Sequence, residues 1–370
     1  MKVLIPIGSI YPSQQGGPSN SMYWLAYGLV NSKNSVTIVS TDIKLDASIP
    51  RDRWISSNYG QLIFNKERFH SFPIKSILCT WRAMKQVDIV HLNSIFYPFS
   101  FLSGIMALVL NKNIVWSVRG ELDNKALIYS KIKKKIYLYF FKKIFSKRVV
   151  FHVTANDENE FCKKYLGNIN TCIIPNYMIL PKKINCEVQK YISYIGRIHP
   201  KKAIENLIKA VNQSKNFKNS KFVLKIAGAI DNQYAIDLVK LVSNLRLEDQ
   251  IQFIGHIEKE EKEIFLSKSY FSFMPSHTEN FGLVVTEALA QGTPVVASKA
   301  SPWKSLEDNK CGFWVDNSIE TLASTIDYIL EMDSNLYKEY RINAFNLSKE
   351  FDIDLGIKEW VEIYNSIINK

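Results

Sequence analysis

The chain has 370 residues, of which 46% are hydrophobic and 22% charged, a composition typical of soluble globular proteins with room for two domains. The five cysteines form no C-x-x-C pair and no metal-ligand spacing, which argues against a disulfide-rich secreted scaffold and for reduced thiols. The first apolar run enters a predicted strand directly and is too short for a signal peptide, so we expect a cytoplasmic protein.

Most of the net charge of +12 comes from one segment. Eight basic residues and no acidic ones lie from Lys131 to Arg148, and the rest of the chain sums to +4. Lysines and apolar residues alternate there, which predicts a basic helix able to lie on an anionic membrane surface. The alternative is a helix that packs its apolar side on its own domain while its lysines are solvated. No nucleic-acid recognition motif accompanies the segment, so we expect no nucleic-acid partner.

The first half of the chain alternates strands and helices, which predicts a parallel sheet. Residues 92–111 carry no charge, but their serines and proline favour a strand end, a turn and a buried helix over a membrane span. Gly16 and Gly17, in the loop after the first strand, would let the main chain approach a phosphate or a sugar. The predicted strands are residues 2–7, 36–40, 61–64, 88–92, 114–118 and 148–154, and the predicted helices include 22–30 and a helix ending near 110.

The second half repeats the alternation and predicts a second parallel sheet. Its predicted strands are residues 191–195, 223–227, 251–254, 270–274 and 293–297. Its predicted helices are residues 204–212, 282–291 and 318–332, with terminal helices over 345–369.

One strand–loop–helix segment, residues 270–297, has the pattern of an anion-binding site. Gly282 would begin the helix, whose opening amides and positive dipole end can face a ligand. Glu279 lies just before this helix and Glu287 one to two turns inside it. One carboxylate can therefore face a ligand of the loop while the other reaches a neighbouring group such as ribose hydroxyls.

From Glu279 to Val296 the sequence reads E-x-F-G-x-x-x-x-E-A-L-A-x-G-x-P-V-V. This stretch closely resembles the donor-site signature of family 4 retaining glycosyltransferases. The alternative is an ordinary buried strand–helix–strand segment with two incidental glutamates.

Weaker similarities to the same family occur elsewhere. Gly196-Arg197 followed by Lys202 resembles its G-R-x-x-x-x-K-G stretch, with Ala203 in place of the last glycine. Residues 88–93 resemble its D-h-h-H-h-H stretch, where Asn93 replaces the second histidine and His91 is either catalytic or a satisfied histidine at a strand end. Arg119, followed by glycine, resembles a segment of a polysaccharide-building branch and suits a carboxylate or a phosphate.

The resemblance implies the α/β GT-B fold, in which two Rossmann-like domains, residues 1–180 and 181–350, face each other across a cleft. Residues 351–370 would cross back onto the first domain. The implied reaction moves a sugar from a nucleotide-diphosphate sugar, UDP favoured over GDP, to an acceptor hydroxyl with retention of anomeric configuration. It implies no cofactor and no metal ion.

Residue roles follow from the same resemblance. Catalytic roles fall on Arg197, Lys202, Glu279 and Asn93. The acceptor-binding residues implied are Asn93, Arg119, Glu121 and His152. The donor-binding residues implied are Gly16, Gly17, Gly196, Arg197, Lys202, Gly228, His256, Phe281, Gly282, Leu283, Val284 and Glu287.

Together with the basic segment, the polysaccharide-branch similarity suggests an enzyme of O-antigen, capsule or exopolysaccharide biosynthesis. Its acceptor would be a lipid-linked glycan at the inner face of the cytoplasmic membrane, to which the protein would bind peripherally. Two alternatives remain: a sugar-nucleotide epimerase of the same fold, and a catalytically silent scaffold that binds nucleotide sugars, which Asn93 favours.

Overall fold

The computed structural model describes residues 1–13, 16–123, 127 and 131–369, except the side chain of Lys131. The chain forms two compact units, one of Met1–Ile179 with Asp352–Lys370 and the other of Leu180–Phe351. Across the described part of the chain, no helix combines the length and apolar composition that crossing a bilayer requires.

The first unit is built on an eight-stranded sheet. Its strands are β1 (Lys2–Ile7), β2 (Ser35–Thr41), β3 (Trp54–Ser57), β4 (Gly60–Asn65), β5 (Ile89–Asn93), β6 (Asn113–Ser117), β7 (Val150–Val153) and β8 (Asn170–Ile173). They lie in the order β3-β4-β2-β1-β5-β6-β7-β8. The pairs are parallel except that β3 runs antiparallel to β4, because only a short turn joins these two strands. The sequence pattern did not predict β3.

Helices cover the two faces of this sheet. They are α1 (Gly17–Asn31), α2 (Ile74–Met84), α3 (Pro98–Val109), α4 (Lys131–Phe145), α5 (Asn156–Leu166) and the C-terminal helix (Ile353–Ile368). The strand and buried helix predicted for residues 92–111 are confirmed by β5 and α3. Helix α1 begins at Gly17 and not at residue 22, because Pro18 fits the first helical turn.

The second unit has a six-stranded sheet whose strands are all parallel. They are β9 (Tyr191–Ile195), β10 (Val223–Ala227), β11 (Ile251–Gly255), β12 (Ser272–Met274), β13 (Val295–Ser298) and β14 (Gly312–Val315). Their order is β11-β10-β9-β12-β13-β14. The helices are α6 (Ile204–Gln213), α7 (Lys215–Lys218), α8 (Gln233–Asn244), α9 (Lys259–Lys268), α10 (Leu283–Ala290), α11 (Ser305–Asp308), α12 (Ile319–Leu330) and α13 (Ser334–Ser348).

The C-terminal helix packs against α1 within the first unit, and a buried polar chain joins it to the sheet. The Tyr364 hydroxyl lies 2.5 Å from Nδ1 of His91, whose Nε2 lies 2.7 Å from Oγ of Ser117. That Oγ lies 2.7 Å from Nδ1 of His152, whose Nε2 lies 2.8 Å from the carbonyl oxygen of Ile174. His91 is thus a satisfied histidine inside the unit.

The direction of these hydrogen bonds follows from the last acceptor. A carbonyl oxygen only accepts, so Nε2 of His152 carries the proton and its Nδ1 accepts from Ser117. His91 must then donate from Nε2 to Ser117 and accept from Tyr364 at Nδ1. These directions are those of two neutral histidines, in which each donor of the chain meets one acceptor.

Burial, helped by the positive charge of Arg119, lowers the pKa of His152 to about 3. The pKa of His91 lies well below its usual range, also mainly through burial. Unfolded histidine titrates near pH ~6.5. As the pH falls below that value, these histidines bind protons in the unfolded chain but not in the folded chain. The folded state therefore loses stability.

The wild type should have a larger free energy of unfolding than His152→Gln at pH 7. We expect this difference to become smaller as the pH falls from 7 to 4. The slope should reach up to about 1.4 kcal/mol per pH unit below pH ~6.5, because only the wild type carries this titrating ring. Urea unfolding at a series of pH values measures it. Val153→Ala, a buried truncation in the same strand that removes no titrating group, is the control. For the control, the difference in free energy of unfolding from the wild type should not depend on pH. If the difference for His152→Gln is equally independent of pH, the assignment of neutral histidines is wrong.

Candidate functional site

Loops that leave neighbouring parallel strands meet at the carboxyl edge of the second sheet. β9 and β12 lie side by side, and β10 lies on the other side of β9. A Cβ atom at Gly228, after β10, would lie 2.4 Å from the carbonyl oxygen of Gly196, after β9. The absence of a side chain at Gly228 therefore permits the two strand ends to approach closely, whereas Gly196 has a positive φ of 147°.

A lysine–glutamate pair joins the loops after β9 and β12. The ammonium of Lys202 donates to Oε2 of Glu279, and the two side chains are 21% and 16% exposed. Main-chain bonds fix both loops: the His277 amide donates to the Lys201 carbonyl at 2.8 Å, and the Glu279 amide to the Ala300 carbonyl at 2.9 Å. The structure thus brings together two residues predicted to be catalytic.

A second cation, Arg197, lies five positions before Lys202 and is exposed. Within the described residues, its guanidinium makes no hydrogen bond or ion pair in this structure. The pKa of nearby His199 is lowered by burial and then by the charges of Arg197, Lys201 and Lys202. The three positive charges themselves favour an anion at this edge.

Helix α10 begins at the same edge. Gly282 is its N-cap residue with φ of 85°, and a Cβ atom there would lie 2.5 Å from Sδ of Met274, so glycine is required. The Val285 amide bonds to the Gly282 carbonyl at 2.9 Å, whereas the Leu283 and Val284 amides lie in the first turn, which has no intrahelical acceptors.

Aromatic residues hold the entrance to this helix in place. Phe281 is buried, and its carbonyl accepts a hydrogen bond from the indole of Trp303. Its ring centroid lies 5.1 Å from that of Trp303 and 5.7 Å from that of Phe351. Phe281 is therefore an anchor, and its ring is not available to a ligand.

Two further donor-site predictions fall on residues that contact a neighbouring side chain. Glu287 in α10 accepts from Nζ of Lys262 at 2.7 Å and is 12% exposed. His256, after the edge strand β11, is exposed and lies 3.2 Å from Glu258. A ribose hydroxyl that binds Glu287 would therefore also lie near Lys262. His256 follows β11, which is two strands away from β9 in the sheet.

In the first unit, Asn93 and Arg119 lie together at the ends of β5 and β6. Nε of Arg119 donates to Oδ1 of Asn93 at 3.1 Å, and its Nη1 donates to Oδ1 of Asn176 at 2.9 Å. Burial lowers the pKa of Arg119 to about 10, so it remains charged at neutral pH. The amide nitrogen of Asn93 is buried and has no hydrogen-bond partner within the described part of the chain.

Glu121 and His152 have structural partners instead of open positions. The Glu121 carboxylate accepts from the amides of Ile95 and Phe96 at 2.5 and 3.1 Å, and burial raises its pKa. Both ring nitrogens of His152 are bonded inside the unit. This geometry favours structural roles for both residues over the predicted contact with an acceptor.

The sequence predicts no functional role for Glu158. This buried carboxylate accepts from the Thr154 amide and hydroxyl at 2.7 and 2.9 Å and from the Gly120 amide, so it ties the loop of Arg119 to α5. At the start of α1, a Cβ atom on Gly16 or Gly17 would meet none of the described atoms within 4 Å.

Comparison with known proteins finds a family model that matches the second unit. Residues 180–347 match the family described as Glycosyl transferases group 1. RfbU, an O-antigen chain mannosyltransferase of Salmonella typhimurium, is 30% identical over 172 residues, which cover 45% of this chain and 46% of that protein. The chain spans about half the length of the curated relatives it matches.

Solved structures extend the similarity in fold to both units. Sucrose-phosphate synthase from Thermosynechococcus elongatus has a TM-score of 0.80 and 20% identity, covering 100% of this chain and 99% of that one. Anabaena HepE in complex with UDP and glucose has a TM-score of 0.77 and 16% identity, covering 99% and 100% of the two chains. The second unit therefore matches the glycosyl transferases group 1 family over nearly its whole length, and the whole chain has the GT-B fold of two Rossmann-like α/β units, as the sequence predicts.

Proposed function

We propose that this protein is a retaining glycosyltransferase that moves a sugar from a nucleotide-diphosphate sugar to an acceptor hydroxyl. The observation that carries the proposal is the pair of Lys202 and Glu279 beside the exposed Arg197, at the start of α10. Two cations and a helix N-terminus together suit a diphosphate. UDP is favoured as the nucleotide because HepE, of the same fold, was solved with UDP and glucose.

In this mechanism the bond between the anomeric carbon and the diphosphate oxygen breaks, and negative charge builds on the leaving group. Lys202 and Arg197 stabilise that charge more in the transition state than in the bound donor. The acceptor hydroxyl bonds to the anomeric carbon on the face that the diphosphate leaves, and its proton passes to the departing phosphate. Glu279 faces the donor sugar and orients Lys202, and Glu287 takes the ribose hydroxyls.

Thermal unfolding with UDP, GDP, ADP and CMP tests the donor site. We expect UDP, at about a hundred times its dissociation constant, to stabilise the wild type by roughly 2.7 kcal/mol. Lys202→Ala should lose most of this stabilisation because it removes a cation from the diphosphate. Lys201→Ala, a change to the exposed neighbouring lysine, should keep it. A nucleotide effect of equal size in both variants, or none in the wild type, would contradict the site.

We also propose that transfer needs no divalent metal ion, because the two cations and the dipole of α10 provide the positive charge. Turnover should therefore be unchanged within about twofold after treatment with excess EDTA. Radiolabelled sugar transfer measures it. Loss of turnover that added Mg²⁺ restores would show that the cations are insufficient.

The acceptor we propose is a lipid-linked glycan of surface-polysaccharide biosynthesis. Support comes from the similarity to an O-antigen mannosyltransferase and from the polysaccharide-branch pattern at Arg119. Asn93 is the residue of the first unit best suited to an acceptor hydroxyl, since its amide nitrogen is buried and has no hydrogen-bond partner within the described residues. A buried donor without an acceptor is unfavourable, and a ligand oxygen would satisfy it.

The two faces of α4 indicate where the protein could bind such an acceptor. One side packs into the unit through buried side chains that include Leu138, Phe141 and Phe145. A second apolar row stays exposed: Ile132 is 75%, Ile136 57%, Tyr139 56% and Phe140 55% exposed. Exposed lysines at 133, 135, 142 and 143 border this row. The packing alternative therefore accounts for one face only.

We propose that the exposed row of α4 inserts into the interface of an anionic membrane, which would place the protein peripherally on the inner face of the cytoplasmic membrane. Apolar burial and attraction of lysines to anionic lipid add together in this binding mode.

Sedimentation with anionic phosphatidylglycerol vesicles at low salt tests the membrane proposal. We expect Ile136→Ser/Phe140→Ser to weaken binding at least about tenfold, because it removes apolar side chains from the bilayer interface. The control Ile74→Ser/Leu78→Ser removes side chains of similar exposure, 58% and 55%, from α2. Binding that is absent in the wild type, or that both double variants reduce equally, would contradict the role of α4.

A further inference from the structure

The outward side of α1 is aromatic and uncharged. None of the residues from Gly17 to Asn31 carries a formal charge. Tyr23, Trp24 and Tyr27 are each half-buried on this helix, and Tyr11, from the preceding loop, is 44% exposed beside them. We call these four residues the tyrosine platform.

The rings of the platform are held in contact with one another. The centroid of Tyr23 lies 4.8 Å from that of Tyr11, 4.5 Å from that of Trp24 and 6.5 Å from that of Tyr27. The buried Tyr59 packs beneath, with its ring 4.9 Å from Tyr23, and its hydroxyl donates to the carbonyl of Tyr11 at 2.7 Å. A ligand would thus meet rings that are already ordered, with little entropy lost on binding.

The chemistry of this surface selects among ligands. Helix α1 offers no cation to a phosphate and no lysines to anionic lipid, unlike α4. Burial, together with neighbouring Tyr11 and Tyr27, raises the pKa of Tyr23, so its hydroxyl stays neutral. Aromatic faces carry partial negative charge and attract the weakly positive C–H groups on one face of a pyranose ring, while phenol hydroxyls can bond to the sugar's hydroxyls.

The position of the platform connects it to the candidate acceptor side. Tyr11 belongs to the loop that follows β1 and also carries Gly16. β1 pairs with β5, the strand that ends in Asn93. Because these parallel strands end at one edge of the sheet, the loop of Tyr11 and Asn93 lie along the same edge.

We propose that the tyrosine platform binds an uncharged pyranose unit of the acceptor glycan, at a distance from the hydroxyl that reacts. This inference rests on the proposed glycosyltransferase function for its biological meaning. The binding itself does not depend on the donor site. The platform would let the protein distinguish an elongated glycan from a single sugar.

The proposal is tested by measuring the binding of uncharged tetrasaccharides of glucose, mannose, galactose and rhamnose with saturation-transfer NMR and with the change in tryptophan fluorescence. We expect saturable binding of at least one tetrasaccharide to the wild type. Tyr11→Ala should weaken it about three- to tenfold, and Tyr11→Phe, which keeps the ring, should retain it. The control Tyr328→Ala removes a tyrosine that is 51% exposed in the second unit and should bind as the wild type does.

The outcomes separate this inference from the proposed function. Lys202→Ala should bind the tetrasaccharide as the wild type does. If nucleotides do not stabilise the protein but glycan binding still depends on Tyr11, the proposed function is wrong and the platform is supported. No binding of any tetrasaccharide to the wild type, or binding that Tyr11→Ala leaves unchanged at an unaltered unfolding midpoint, overturns the platform. A dimer that Tyr11→Ala dissociates would assign this face to a second copy of the chain and overturn it as well.

Discussion

The common direction of the strands in the second unit is the constraint on which its site depends. Lys202 and Glu279 are separated by 77 positions in sequence, yet they pair because β9 and β12 are adjacent and parallel. Parallel strands release their loops at one edge, where the following helices also begin. A half-buried lysine and a half-buried glutamate can lie there only as partners, since either charge alone would lack compensation. The pair therefore holds a cation in place before any anion arrives.

The first unit uses buried carboxylates for a different purpose. Glu121 and Glu158 each accept main-chain amides of a neighbouring loop, and burial raises the pKa of both. Arg119 bridges Asn93 and Asn176 between these loops. The network occupies the oxygen of Asn93 and leaves its amide nitrogen without a hydrogen-bond partner among the described residues. Rigid loops with one unsatisfied donor are a suitable arrangement for orienting a hydroxyl.

The sequence predicts the features that have a local signal and misses those that depend on contacts between distant segments. The strands β9 and β10 and the start of α10 follow from short apolar runs and a glycine, and the structure matches them. β3 was missed because its burial pattern depends on pairing with β4. The partners of Glu121 and the role of Glu158 were also missed, since each joins segments more than 20 residues apart and has no periodic signature. Motif resemblance located Lys202 and Glu279, but only the fold explains why they meet.

The exposed row of α4 and the tyrosine platform show why burial alone does not specify a partner. On α4 the exposed row is bordered by lysines, so a ligand there must bring apolar surface and negative charge together, as an anionic bilayer does. On α1 the half-buried rings lie on a helix without formally charged residues, and rings that carry hydroxyls suit a ligand with an apolar face and a hydroxylated rim. A lipid-linked glycan contains both kinds of surface in one molecule. In the acceptor proposed for this protein, the lipid end would suit the exposed row of α4 and the sugar end would suit the tyrosine platform.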